Sequence, residues 1–199
     1  MSHYVDGIAA SPWVFAVVFL VAGLDALLPF MPSETTVVAC GVAAAGTGRP
    51  QVALLLLVAA AGAFAGDWLS FRVGRSGAKA VASNRRALAL HSRVHRLLHS
   101  RGGLVIVFAR YLPGGRSTTA LAAGVVGYPA VRFAWYTAGG VLVWAAQASL
   151  LGYLGGAAFA DRPLLGLLLA GSIAASVTGA GFLVQRRLGR KAPVTQVTK

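Results

Sequence analysis

Acidic residues are scarce in this chain. Its 199 residues hold five Asp and Glu against 18 Lys and Arg, and charged residues of both signs make up only 12%. Water-soluble domains usually carry about 25%, so the composition argues strongly against a soluble protein. Cysteine occurs once, at Cys40, which excludes an internal disulfide and any multi-cysteine metal site. The four histidines, His3, His91, His95 and His99, all fall outside the apolar runs. An intramembrane hydrolase would therefore lack its base or metal cluster. No catalytic residue, cofactor or metal is expected, although His91, His95 and His99 recur every four residues, a spacing that metal ligands also use. The first twelve residues contain no Lys or Arg, so the charged start of a secretory signal is missing.

What remains is apolar: 57% hydrophobic residues and a mean hydropathy of +0.71. At about 20 apolar residues per crossing, the length allows roughly four to six crossing or half-crossing segments. The fold class expected is an all-α polytopic membrane protein in a single membrane domain, residues 13–185, between an N-terminal tail (1–12) and a basic tail (185–199). Within it the apolar runs assign a re-entrant hairpin at 13–46, a full span at 51–73 and a second re-entrant hairpin at 104–126. Two further full spans follow at 133–159 and 164–184. Pro29 and Pro32 break the first hairpin at its tip, and Pro113, Gly114 and Gly115 break the second.

The net charge of +13 would suit nucleic acid, but the cations sit between apolar runs and match the anionic cytoplasmic face of a bilayer instead. The basic stretch 72–101 and the C-terminal tail are expected inside the cell, which puts the N-terminus outside. Residues 78–100 read as a cationic amphipathic helix on the inner leaflet, with Ala87, Leu90, Val94, Leu97 and Leu98 on its apolar face. Each half then runs broken hairpin, proline (Pro50 or Pro129), full span. With the hairpins entering from opposite sides, this is an inverted repeat, a transporter plan whose site lies at the midplane.

Five charged groups fall well inside these segments, away from their ends: Asp25, Glu34, Asp67, Arg110 and Arg116. Each costs about 2.5–3.5 kcal/mol near the bilayer centre and so needs a partner or a purpose. Residues 68–160 contain no acid. Arg110 and Arg116 must therefore find carboxylates in the first half, which requires the hairpins to meet inside the membrane. Three carboxylates against two guanidiniums leave one carboxyl able to hold a proton. Each arginine offers a planar fork suited to phosphate oxygens. The same five groups could equally form a fixed salt-bridge network that only holds the hairpins together.

Three motifs in order resemble the DedA family of integral membrane proteins, whose shared region is also called the SNARE-associated or VTT domain. They are Asp25-Ala26-Leu27-Leu28-Pro29-Phe30-Met31-Pro32-Ser33-Glu34, the stretch Gly62 to Gly77 with Gly66-Asp67 and Gly74-Arg75, and Phe108-Ala109-Arg110-Tyr111-Leu112-Pro113-Gly114-Gly115-Arg116 followed by Ala123-Gly124. The resemblance implies a bacterial inner-membrane protein that moves phospholipid or undecaprenyl phosphate between leaflets, in some members with the proton motive force. Its eukaryotic relatives look like lipid scramblases. By the same likeness, Asp25 and Glu34 match functional acids, and Arg110 and Arg116 match two essential arginines. The family more often has Glu followed by Asn where this chain has Asp25-Ala26, a shorter carboxylate without the amide. The expected partners are anionic or polyprenyl-phosphate lipids and protons, without nucleic acid, and a homo-oligomer is allowed. The alternative is a proton-coupled transporter of a small soluble anion.

Overall fold

The computed structural model describes residues 11–26, 33–82, 103–111 and 114–158, together with Ser172. Among these residues there are six helices and no strand: α1 (Trp13–Leu24), α2 (Ser33–Thr47), α3 (Val52–Ala82), α4 (Leu104–Ala109), α5 (Gly115–Val125) and α6 (Ala130–Ala158). Pro29, Pro32 and Pro113, the bulk of the interfacial helix with its histidines, the span at 164–184 and most of both tails lie outside the described residues.

Length sorts the helices into two kinds. At 1.5 Å per residue, α3 and α6, with 31 and 29 residues, reach about 46 and 43 Å, more than the roughly 30 Å of a bilayer core. Both carry windows long and apolar enough to cross a membrane, Val52–Ala78 and Ala130–Ala158. The 12 residues of α1 and the 15 of α2 reach only about 18 and 22 Å, too short to cross. One sequence boundary is corrected. α3 runs past Val73 through Gly74 and Gly77 to Ala82, so residues 78–82 are the last turn of the same helix, which extends beyond its membrane-crossing window Val52–Ala78. A mid-helix glycine costs about 1 kcal/mol, and at Gly74 tertiary packing offsets it: a side chain there would collide with the Leu121 carbonyl of α5.

The turns repeat. α2 ends where Gly48 takes a left-handed φ of 70° and its N–H bonds the Ala44 carbonyl at 2.9 Å. α5 ends the same way at Gly127, φ 70°, with the Tyr128 N–H donating to the Ala123 carbonyl at 2.9 Å. This is the glycine-capped helix end that L side chains resist. A proline follows two residues after each glycine, Pro50 and Pro129, and the long helix starts just beyond it.

The main pairings are α1 with α3, α2 with α6, α4 with α6, α5 with α3, and α3 with α6. Exchanging α1 with α4, α2 with α5 and α3 with α6 turns this set into itself. Small residues permit the closeness. A Cβ on Gly62 or Gly66 would run into the carbonyls of Phe19 and Gly23 on α1, and one on Gly41 would sit 2.8 Å from the Ser149 carbonyl of α6. Facing outward are Trp13, Phe108, Val131, Trp135 and Leu154, all exposed, an apolar skin suited to lipid.

Glycine packing gives a paired test. Gly66→Ala forces α1 off α3 and should destabilise by about 1–3 kcal/mol. Gly139→Ala, where a Cβ meets nothing within 4 Å, should shift stability by no more than about 1 kcal/mol, toward the stable side. Thermal unfolding of the two variants in one detergent decides; equal midpoints would mean the α1–α3 contact is loose.

Candidate functional site

Asp67 sits at mid-length of α3, between two apolar clusters. One is built around Val18, Leu55, Ala59 and Ala145, the other around Phe71, Ala123 and Phe133. No backbone group of a continuous helix is free to satisfy a carboxylate there, so its partners must be side chains from elsewhere. They come from the broken segment between α4 and α5. α4 stops after six residues at Arg110, and α5 restarts at Gly115 after Gly114 turns left-handed at φ 67°. The break puts Arg110 and Arg116 on either side of a sharp turn, both aimed at α3.

Asp67 binds both. Its Oδ2 takes the Nη2 of Arg110, and its Oδ1 takes the Nε of Arg116 at 2.6 Å. Arg116 continues the chain of bonds: its Nη1 reaches Asp25 Oδ2 at 3.1 Å, and its Nη2 donates to the backbone carbonyls of Ala22 (3.0 Å) and Ala63 (2.8 Å). Asp25 lies just past the last turn of α1 and also accepts the Ser33 hydroxyl at 2.8 Å. Among the described residues, then, the ion pairs join two carboxylates to two guanidiniums, with zero formal net charge. The acid-free stretch 68–160 requires such a crossing between halves.

Burial is uneven along this network. The side chains of Asp67, Arg110 and Arg116 are 4%, 6% and 9% exposed, whereas Asp25 is 21% exposed. Asp25 is thus the member that solvent or a ligand can reach. Arg110 has one buried nitrogen, Nη1, without a partner. A buried guanidinium N–H left unbonded is costly and marks where an added acceptor would be favoured. Thr137 on α6 is also buried with an unpartnered hydroxyl. It lies one turn from Gly140, where the Arg110 side chain rests against α6.

Asp25, Asp67, Arg110 and Arg116, all expected from the sequence, come together in one network. Glu34 lies half-buried in the first turn of α2, beside Ser33. Gly114 and Gly115 form the break itself. Three participants had no signal of their own. Ser33 had only its place inside the proline-rich motif, and the Ala22 and Ala63 carbonyls are backbone groups that no side-chain pattern reports.

Among the described residues, then, half-length helices, two helices long and apolar enough to cross a membrane and a buried arginine–carboxylate network define a helical protein suited to a membrane. A family model, the VTT domain, matches residues 28–154. The chain is 26% identical to Protein DedA of Escherichia coli K12 over 173 residues, covering 83% of this chain and 79% of that one. It is 31% identical to Inner membrane protein YqjA of the same strain over 149 residues, 71% of this chain and 65% of that one. No solved structure matches it significantly. The chain belongs to the DedA family of VTT-domain membrane proteins, which are generally transporters or flippases.

Proposed function

We propose that this protein moves a phosphate-bearing lipid, of the undecaprenyl phosphate or phospholipid type, between the leaflets of a bacterial inner membrane. The observation that carries the reading is the buried network. Two arginine forks converge at a backbone break, one guanidinium N–H has no acceptor, and one of the two carboxylates is partly accessible.

The headgroup enters between the two broken segments, which act as re-entrant hairpins, while the lipid tail stays in the bilayer. The exchange symmetry of the helix pairings supports an inverted repeat, with the network at the midplane. The basic stretch 72–101 and the C-terminal tail face the cytoplasm. A phosphate oxygen bonds Arg110 Nη1 and takes the place of Asp25 on Arg116. The displaced carboxylate then accepts a proton, so a singly charged phosphate (a phosphodiester, or the monoanion of a phosphomonoester) and one proton enter together and the charge of the Asp25–Asp67–Arg110–Arg116 network stays at zero. Glu34, in the first turn of α2, and Asp67 are the other acids proposed to take part in proton exchange. No covalent step is needed.

The test is leaflet exchange of labelled undecaprenyl phosphate and labelled phospholipid in proteoliposomes, with and without a pH gradient. Wild-type protein should exchange at least one of them, and Arg110→Ala/Arg116→Ala protein, shown to be folded, should not. Exchange by the double variant at the wild-type rate sinks the proposal. Uptake of a soluble anion without lipid exchange would favour the alternative, a proton-coupled anion transporter built from the same residues.

A further inference from the structure

Beyond Asp67, toward the C-terminal end of α3, stands a second pair of arginines that the network does not use. Arg72 and Arg75 are exposed. With Ser76, Trp68, Phe71 and Ala130 they line an open cavity of about 390 Å³, large enough for a lipid headgroup. The floor is aromatic: Trp68 stacks on Phe71 at 5.6 Å, and Phe71 stacks on Phe133 at 4.4 Å. The Arg75 guanidinium carbon lies 5.8 Å from the centre of the Phe71 ring. That contact steadies the side chain, and among the described residues its N–H donors have no side-chain acceptor. The Ser76 hydroxyl is spent on the Arg72 carbonyl at 3.1 Å.

Charge balance shows what the cavity lacks. Residues 68–160 contain no acid, and Asp25 and Asp67 are held by Arg116 and Arg110. Among the described residues no carboxylate pairs with Arg72 or Arg75, so their counter-anion comes from outside these residues. Depth suggests its source. Arg75 is eight residues past Asp67, about 12 Å along the helix axis. With Asp67 near mid-depth, this brings Arg75 toward the edge of the hydrocarbon, while Phe71 and Trp68 lie about 6 and 10 Å deeper along the helix.

We propose that this cavity binds a phosphate-bearing lipid headgroup at the membrane surface. Arg72 and Arg75 hold the phosphate, and Trp68 and Phe71, deeper on the same helix, lie on the side of the lipid chains. Binding here is independent of the transport reading; only a role as the place where cargo waits rests on it.

The experiment titrates the purified full-length chain in detergent with three probes: dihexanoyl-phosphatidylglycerol, dihexanoyl-phosphatidylcholine and inorganic phosphate. Binding is followed by microscale thermophoresis. The phosphatidylglycerol should bind most tightly. Arg72→Gln/Arg75→Gln should weaken it about 30-fold, roughly fivefold per arginine. Ser76→Leu, which fills the cavity and keeps both charges, should weaken it too. All three positions are exposed, so these variants keep the fold, which near-UV circular dichroism checks. Unchanged phosphatidylglycerol binding in the double arginine variant overturns the proposal. Inorganic phosphate binding as tightly as the lipid, with the same dependence on the arginines, assigns the cavity to a free anion and overturns the lipid assignment. Because the readout is binding, failure here leaves the leaflet-exchange result untouched, and the reverse also holds.

Discussion

Asp67→Asn should lower stability by about 3–5 kcal/mol, the cost of leaving a buried charge without its counter-ion. The carboxylate is 4% exposed and holds two guanidiniums at once, one on each oxygen. Asparagine keeps the shape, but its amide nitrogen would point donor at donor toward one of the arginines, and the network would gain a formal charge of +1. Thermal unfolding in a single detergent is the measurement. Asp67→Asn/Arg110→Gln removes one charge of each sign and should recover part of the loss. If Asp67→Asn unfolds at the wild-type temperature, the network is not dry and its role in joining the halves is wrong.

Arg116→Lys should abolish leaflet exchange, a drop of tenfold or more, although the charge is kept. Arg116 serves four acceptors in the bonds observed: Asp67, Asp25 and the carbonyls of Ala22 and Ala63. An ammonium has three N–H donors on a flexible stem and cannot reproduce the planar fork that reaches these groups from one position. It would also offer a phosphate one contact where the fork offers two. Exchange rates in proteoliposomes, normalised to folded protein, check this. Exchange by the lysine variant at the wild-type rate would show that charge alone suffices and that the bidentate geometry is irrelevant.

Much of the architecture could be read from a few residues. The break after Arg110 is announced by Pro113-Gly114-Gly115, and the pairing between halves follows from the absence of acid between Trp68 and Ala160. The proline at the start of each long helix, Pro50 and Pro129, marks the repeat. Other features depend on three-dimensional proximity and leave no local pattern. Asp67 and the other acids weigh equally in the sequence, yet in the described ion pairs Asp67 alone serves both arginines. Gly74 and Gly77 look like the end of a span, yet α3 continues to Ala82, with α5 packed closely enough at Gly74 to hold it helical. The two carbonyls that Arg116 caps lie on different helices, and only the packed fold brings them within reach of one side chain.

Those two carbonyls give the resting protein an interlock. If Arg116 swung away unaccompanied, Ala22, Ala63, Asp25 and one oxygen of Asp67 would all lose a donor in a nearly dry site. An arriving anion changes that balance, because it supplies Arg116 with new acceptors as the old ones are surrendered. On the proposed function, the empty carrier is therefore held shut by the residue that receives the cargo. A membrane full of idle copies would then not short-circuit the proton gradient that a coupled carrier depends on.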